Sequence, residues 1–122
     1  MPKRVLIVDD AIFMRNMIKD IFSGSGFEVI GEAANGLEAV EKYKELRPDL
    51  TTMDIVMPFK SGIEATREIV ARDPKALIVM CSALGQESLV MEAIEAGASD
   101  FIVKPFKADD VLAVVKKVLG QA

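Results

Sequence analysis

Short apolar runs alternate five times with longer amphipathic segments along the chain. The runs occupy residues 5–8, 27–30, 50–53, 76–82 and 101–103. In the segments that follow them, apolar residues recur at steps of three and four, as they do on the buried face of a helix. This switching predicts an α/β fold with a five-stranded parallel sheet and helices on both faces.

Glycine, asparagine and proline mark the limits of the predicted helices. The first helix follows Asp10 and ends at Gly24–Gly26, the second runs from Asn35–Gly36 to Pro48, and the third runs from Gly62 to Asp73–Pro74. The fourth helix covers residues 87–96 and the fifth covers residues 109–119. Proline closes a helix because it has no amide hydrogen to donate, and glycine permits the left-handed turn beyond a helix end.

The third apolar run contains two threonines, Thr51 and Thr52, which make it less apolar than a central strand usually is. Both side chains are β-branched and therefore suit a pleated surface. We predict that this run is nevertheless a central strand.

Composition and charge narrow the class of protein. The 122 residues fit one domain, 1–122, with a sizeable core. With 15 basic and 19 acidic residues the net charge is -4, which makes nucleic acid a poor partner. The longest apolar stretch, residues 76–81, is far shorter than the roughly 20 residues that cross a bilayer. We expect a cytoplasmic protein without membrane insertion or a secretory signal.

The chain contains no histidine and a single cysteine, Cys81. The lack of histidine excludes Ser-His-Asp and Cys-His catalysis and every histidine metal site. A phosphohistidine, if one is involved, must belong to another protein. Cys81 lies within an apolar run, so we expect a buried thiol rather than a nucleophile.

Charged residues stand where three of the apolar runs stop. Asp9 and Asp10 follow the first run, Asp54 follows the third, and Lys104 follows the fifth. The carboxyl ends of parallel strands line one crevice, so these side chains are expected to meet. Three crowded carboxylates repel one another unless a cation neutralises them, and an all-oxygen cluster suits Mg²⁺. The pattern predicts a site for a metal and a phosphoryl group.

Each residue then has a chemical role. Asp54 is the candidate nucleophile, because a carboxylate accepts a phosphoryl group when the incoming charge is neutralised. Asp9, Asp10 and Asp54 are predicted to hold Mg²⁺, or Mn²⁺ in its place, with the backbone carbonyl of Val56. Lys104 supplies positive charge to the phosphoryl oxygens, and the Ser82 hydroxyl donates to one of them.

Taken singly, the same residues have simpler explanations. An Asp after a strand is often a helix cap, and a serine is often a turn residue. A lone lysine is usually a solvated surface group. The site interpretation depends on the residues occurring together at four strand ends.

At these positions the chain resembles the receiver domain of two-component response regulators. The resemblance rests on Val8-Asp9-Asp10, Met53–Pro58, Cys81-Ser82-Ala83, Ala96-Gly97-Ala98 and Phe101–Phe106. It covers the full chain and implies a single flavodoxin-like domain with strand order 2-1-3-4-5. It also implies a cis peptide bond between Lys104 and Pro105.

Within this family the chain is most similar to free-standing chemotaxis regulators, through residues 10–15 and 81–86. The resemblance implies a monomer that receives phosphate from a histidine kinase on Asp54 and then binds the flagellar motor switch protein. Movement of the Ser82 hydroxyl toward the phosphoryl group would leave space behind it. Our hypothesis is that the Phe101 ring rotates into that space as a switch.

Several positions differ from the common family pattern. Ser82 replaces threonine, Phe101 replaces tyrosine, and Lys60 adds a positive charge where an apolar residue is usual. Val56 and Leu84 offer no polar group to orient a hydrolytic water. We therefore expect slow self-dephosphorylation and a dedicated phosphatase.

Two other functions remain open. A phosphorelay receiver, or a stand-alone regulator with a non-motor partner, would carry the same site. A small Mg²⁺-dependent phosphohydrolase also uses an Asp nucleophile, but it needs an acid-base group and usually a cap, and neither is visible. We expect a protein that is not an enzyme, beyond catalysing its own phosphorylation and dephosphorylation.

Overall fold

The fold is a five-stranded sheet with the strand order β2-β1-β3-β4-β5. The computed structural model describes residues 2–83 and 85–120. The strands are β1 (Arg4–Val8), β2 (Glu28–Ala33), β3 (Leu50–Asp54), β4 (Ile78–Ser82) and β5 (Asp100–Val103). The helices are α1 (Ile12–Ser23), α2 (Gly36–Leu46), α3 (Gly62–Arg72), α4 (Glu87–Glu95) and α5 (Ala108–Gly120). All neighbouring strands are parallel, which confirms the predicted fold class and strand order.

Two apolar layers hold the helices against the sheet. Alternate residues of a strand point to opposite faces, so in β1 Leu6 and Val8 join one layer while Val5 and Ile7 join the other. The first layer receives α2, α3 and α4, and the second receives α1 and α5. Both faces of the sheet are therefore covered, as a parallel sheet requires.

The strand β3 is central, as predicted, and lies between β1 and β4. Its five residues are all buried, including Thr51 and Thr52. This position places Asp54, its last residue, in the middle of the carboxyl edge of the sheet.

Some element limits differ from those predicted. The strand β2 extends beyond residue 30 to Ala33, because it follows β1 through a register shift between Val5 and Leu6. The strand β4 begins at Ile78 rather than residue 76. Helix α2 ends at Leu46 and is capped by Arg47, which adopts a left-handed conformation (φ 47°) one residue before the predicted stop at Pro48.

Helix α3 begins with a capping box. The Ser61 hydroxyl accepts a hydrogen bond from the Glu64 amide, and the Glu64 carboxylate accepts one from the Ser61 amide. This reciprocal pair satisfies two amides that the first helical turn leaves without partners. It fixes the start of α3 close to the end of β3.

No helix in the described part of the chain combines the length and the apolar character needed to cross a membrane.

Candidate functional site

The carboxylates predicted to share one crevice do lie together. Oxygen atoms of Asp9, Asp10 and Asp54 all fall within 4.8 Å of one another. Asp9 follows β1 and is buried, Asp54 ends β3 and is 9% exposed, and Asp10 is exposed. The crevice is therefore open to solvent on the side of Asp10.

Lys104 completes the crevice from the end of β5. Its Nζ lies 3.0 Å from Asp9 Oδ2 and 3.2 Å from Asp54 Oδ1. Burial lowers the pKa of Lys104, but Asp54 and Asp9 together raise it more, and the net pKa lies above its usual value. The amine stays protonated and bridges the two buried acids. The Lys104–Pro105 peptide bond is cis, as the resemblance implies.

The single positive charge of Lys104 does not neutralise the three carboxylates. Burial, and then the charge of Asp9, raise the pKa of Asp54 to about 6, although Lys104 lowers it. The Asp54 carboxylate also accepts a hydrogen bond from the Ile55 amide at 3.0 Å. Close oxygen ligands with excess negative charge are the donor set that Mg²⁺ prefers, so these residues fit that ion.

Ser82 ends β4 and is buried beside the crevice. Its hydroxyl lies 3.5 Å from the carbonyl oxygen of Ile102, so it points toward β5. Phe101, on β5, is 39% exposed. Ser82 and Phe101 both line a cleft of about 220 Å³ between α4 and β5.

The remaining predicted site residues lie at the rim. Val56 follows the Asp54–Ile55 pair and is 57% exposed. Lys60 pairs with Glu68 at 2.5 Å, so α3 neutralises the charge that Lys60 adds to this loop. Leu84, expected to flank the hydrolytic water, lies outside the described residues.

Two supporting residues were not predicted. Arg15, on α1, donates to the carbonyl oxygen of Asp9 at 2.6 Å and to Glu32 at 3.1 Å. Gly62 packs directly on Asp54, since a Cβ at this position would lie 1.9 Å from the Asp54 carbonyl oxygen. The spacing of Ser61 and Glu64 signals the helix start, but no local pattern reveals that Gly62 touches β3.

The chain matches the response regulator receiver domain family over residues 5–116. It is 62% identical to the chemotaxis protein CheY of Thermotoga maritima, over 97% of this chain and 98% of that protein. It is also 62% identical to CheY of Bacillus subtilis, over 98% of this chain and all of that one. In the CheX-CheY-BeF3-Mg complex of Borrelia burgdorferi, a matching chain is 43% identical, with a TM-score of 0.93 over 97% of this chain and 90% of that chain.

Proposed function

The chain belongs to the response regulator receiver domain family, and from this premise we propose that it is a stand-alone chemotaxis regulator phosphorylated on Asp54 by a histidine kinase. One observation carries the proposal. Asp54 ends a central strand with two further carboxylates within 4.8 Å and an ammonium group 3.2 Å away. This arrangement suits a buried acceptor whose incoming charge must be neutralised.

In the proposed transfer, an Asp54 carboxylate oxygen forms a bond to phosphorus while the phosphorus–nitrogen bond of the kinase phosphohistidine breaks. The imidazole leaves, and Asp54 becomes an acyl phosphate. The Lys104 amine, which donates to the Asp54 carboxylate before transfer, then donates to a phosphoryl oxygen. The Ser82 hydroxyl donates to a second phosphoryl oxygen. Asp9, Asp10, Asp54 and the Val56 carbonyl would hold Mg²⁺, whose charge would help to neutralise the phosphoryl group.

The output step begins at Ser82. Its present contact with Ile102 is long, at 3.5 Å, so a phosphoryl oxygen is a better acceptor. We propose that Ser82 turns toward the phosphoryl group and that Phe101 moves into the cleft it shares with Ser82. The altered surface of α4 and β5 then binds the flagellar motor switch protein in the cytoplasm. A partner that prefers this surface also stabilises the phosphorylated state.

Labelling with acetyl phosphate tests the acceptor. With Mg²⁺, the protein should take up one phosphoryl group per chain, detected by intact-protein mass spectrometry, and Asp54→Asn should take up none. Asp20→Asn is the matched control, since Asp20 is exposed on α1, away from the crevice. Full labelling of Asp54→Asn would refute the proposed acceptor.

Binding of a labelled motor switch peptide, followed by fluorescence anisotropy, tests the output. Beryllofluoride with Mg²⁺ should tighten binding to the native protein and leave Phe101→Ala largely unresponsive.

The protein phosphorylated with acetyl phosphate tests the need for a phosphatase. With apolar Val56 beside the crevice, this phosphoprotein, once purified, should lose its phosphoryl group slowly in Mg²⁺ alone. Rapid loss would remove the need for a phosphatase.

A phosphorelay, or a non-motor partner, would preserve labelling of Asp54 and abolish the peptide response. A phosphohydrolase would instead turn over a small phosphoester many times per chain. Among the described residues, no second acid-base group stands beside Asp54 apart from the proposed metal ligands and Lys104. We therefore propose that catalysis is limited to the phosphorylation and dephosphorylation of the chain itself.

A further inference from the structure

A cleft of about 290 Å³ lies between the C-terminal halves of α2 and α3. Its lining residues are Val40, Tyr43, Lys44, Arg47, Ile69, Arg72 and Asp73. A second hollow of about 200 Å³ shares Val40, Lys44 and Arg72 with it and is also lined by Leu37, Glu41, Lys60 and Glu68. Helices that follow parallel strands end at the edge opposite the carboxyl ends of the strands. The cleft is therefore separate from the Asp54 crevice.

The cleft carries an excess of positive charge. Lys44, Arg47 and Arg72 are exposed, and no ion pair within the described residues involves them. The carboxylate of Asp73 is already occupied, because it accepts hydrogen bonds from the Tyr43 hydroxyl at 2.8 Å and the Lys75 amide at 3.2 Å. Within the cleft, three cations thus face one engaged acid, in a protein whose net charge is -4. The adjoining hollow adds Glu41 and the Lys60–Glu68 ion pair, which leaves the positive excess confined to the cleft.

Cations near the C-terminal end of a helix also interact favourably with the helix dipole. At the C-terminal end of α2, another cation, Arg4, already performs this role. The Arg4 guanidinium donates to the carbonyl oxygens of Leu46 at 2.8 Å and Arg47 at 2.9 Å. The side chains of Lys44 and Arg47 are therefore not needed to satisfy these carbonyls. Together with Arg72 these side chains place three positive charges at one cleft, where they repel one another. A bound anion would reduce this repulsion.

The floor of the cleft is apolar. Val40 and Ile69 pack there beside the Tyr43 ring, which is 8% exposed. An apolar floor with a few converging polar groups is the usual design of a small-molecule site. Arginine in particular binds phosphate and carboxylate groups with two parallel hydrogen bonds.

We propose that this cleft binds a small organic anion. Its phosphate or carboxylate group lies between Lys44, Arg47 and Arg72, and a planar or apolar body rests on Val40, which is half-buried, whereas Ile69 beneath it is only 2% exposed. The site is independent of Asp54, so it stands or falls separately from the proposed phosphotransfer.

Adenosine monophosphate and benzoate are suitable probes, since each joins a planar body to one of the two head groups. Titration of ¹⁵N-labelled protein in low salt should give saturable chemical-shift changes confined to α2, α3 and residue 73. Inorganic phosphate alone should bind more weakly than adenosine monophosphate, because it has no body to contact the floor. Shifts with only one probe would identify the head group.

The triple variant Lys44→Gln, Arg47→Gln, Arg72→Gln should weaken binding by about tenfold or more. A control with the same change in charge is Lys3→Gln, Lys107→Gln, Lys116→Gln, whose side chains are exposed elsewhere. This control and Asp54→Asn should retain native affinity. Arg72→Gln alone should give a partial loss and guards against misfolding of the triple variant.

Three results would overturn the proposal. The first is the absence of saturable shifts with both probes. The second is an equal loss of affinity in the charge-matched control, which would mean that only net charge matters. The third is a set of shifts centred on the Asp9–Asp54 crevice instead of on α2 and α3.

Discussion

Arg15 connects the acid crevice to the neighbouring strand β2. It holds the carbonyl oxygen of Asp9 at 2.6 Å and is itself held by Glu32. Glu32 pairs in addition with Lys19 at 2.6 Å, and the hydrogen bond from Lys19, followed by that from Arg15, lowers the pKa of Glu32 despite partial burial. The backbone between Asp9 and Asp10 is thereby fixed, which makes Arg15 a positioning residue for the proposed metal site.

Replacing Arg15 by glutamine should weaken Mg²⁺ binding by about tenfold, because groups that orient metal ligands typically have effects of this size. Isothermal titration calorimetry measures the affinity directly. Lys19→Gln is the matched control, since it removes an ion pair of Glu32 and leaves the contact with Asp9 intact. Equal Mg²⁺ affinities for Arg15→Gln and Lys19→Gln would contradict this role.

Cys81 is fully enclosed on β4, and burial raises the pKa of its thiol to about 12 from an ordinary value of 9.0. The folded state keeps the proton while the unfolded state loses it above pH 9.0. The unfolded state then binds fewer protons, so the free energy of unfolding should fall as pH rises from 9.0 toward about 12, by up to about 1.4 kcal/mol per unit.

Urea unfolding of the native protein and Cys81→Ala at a series of pH values tests this slope. The alanine variant has a lower stability at neutral pH but should lose less of it above pH 9.0. Parallel pH profiles for the two proteins would show that the thiol does not contribute. The raised pKa of Tyr43 affects both proteins alike and cancels in the comparison.

At the scale of the elements, periodicity and turn residues were enough to predict all five strands and all five helices. The limits that were wrong depend on contacts between elements. Gly31 and Glu32 do not resemble strand residues, yet pairing with β1 draws them into β2. Arg47 ends α2 in a left-handed conformation that usually requires glycine or asparagine, so the pattern pointed to Pro48 instead.

The same distinction applies to the site. Asp9, Asp54 and Lys104 could be placed from the sequence because the ends of parallel strands share an edge, whatever the details of packing. Arg15 and Gly62 could not be assigned, because their contacts depend on how α1 and the β3–α3 loop settle on the sheet. The residue pattern therefore predicts which strand ends share an edge, but it does not predict which residues of α1 and the β3–α3 loop contact the site.

Within β3, the hydroxyls of Thr51 and Thr52 are buried without a hydrogen-bond partner among the described residues. A buried hydroxyl that lacks a partner costs about 1–3 kcal/mol, and valine has nearly the same shape. Thr51→Val and Thr52→Val should therefore each raise the free energy of unfolding by about 1 kcal/mol. Urea denaturation measures the change, and Thr66→Val serves as a control because its hydroxyl contacts Met80 Sδ. Destabilisation by both strand substitutions would indicate partners for these hydroxyls.

For the whole molecule, the three crowded carboxylates oppose folding, because Lys104 neutralises them only in part. Mg²⁺ bound only by the folded state should raise the free energy of unfolding by about 1.4 kcal/mol at ten times its dissociation constant. Asp10→Asn should lose most of this response, since it removes one of the three clustered acids. Thermal unfolding with Mg²⁺ or with EDTA measures the effect. An unchanged response in Asp10→Asn would exclude this acid as a ligand.

The hydrogen bond between Lys104 and Asp9 joins residues 95 positions apart. A ribosome releases β1 and β3 well before β5, so a nascent chain exposes Asp54 while its amine is still unmade. Under the proposed chemistry, competence for phosphorylation arrives only with the final strand. A truncated product that lacks β5 and Lys104 should therefore take up no phosphoryl group.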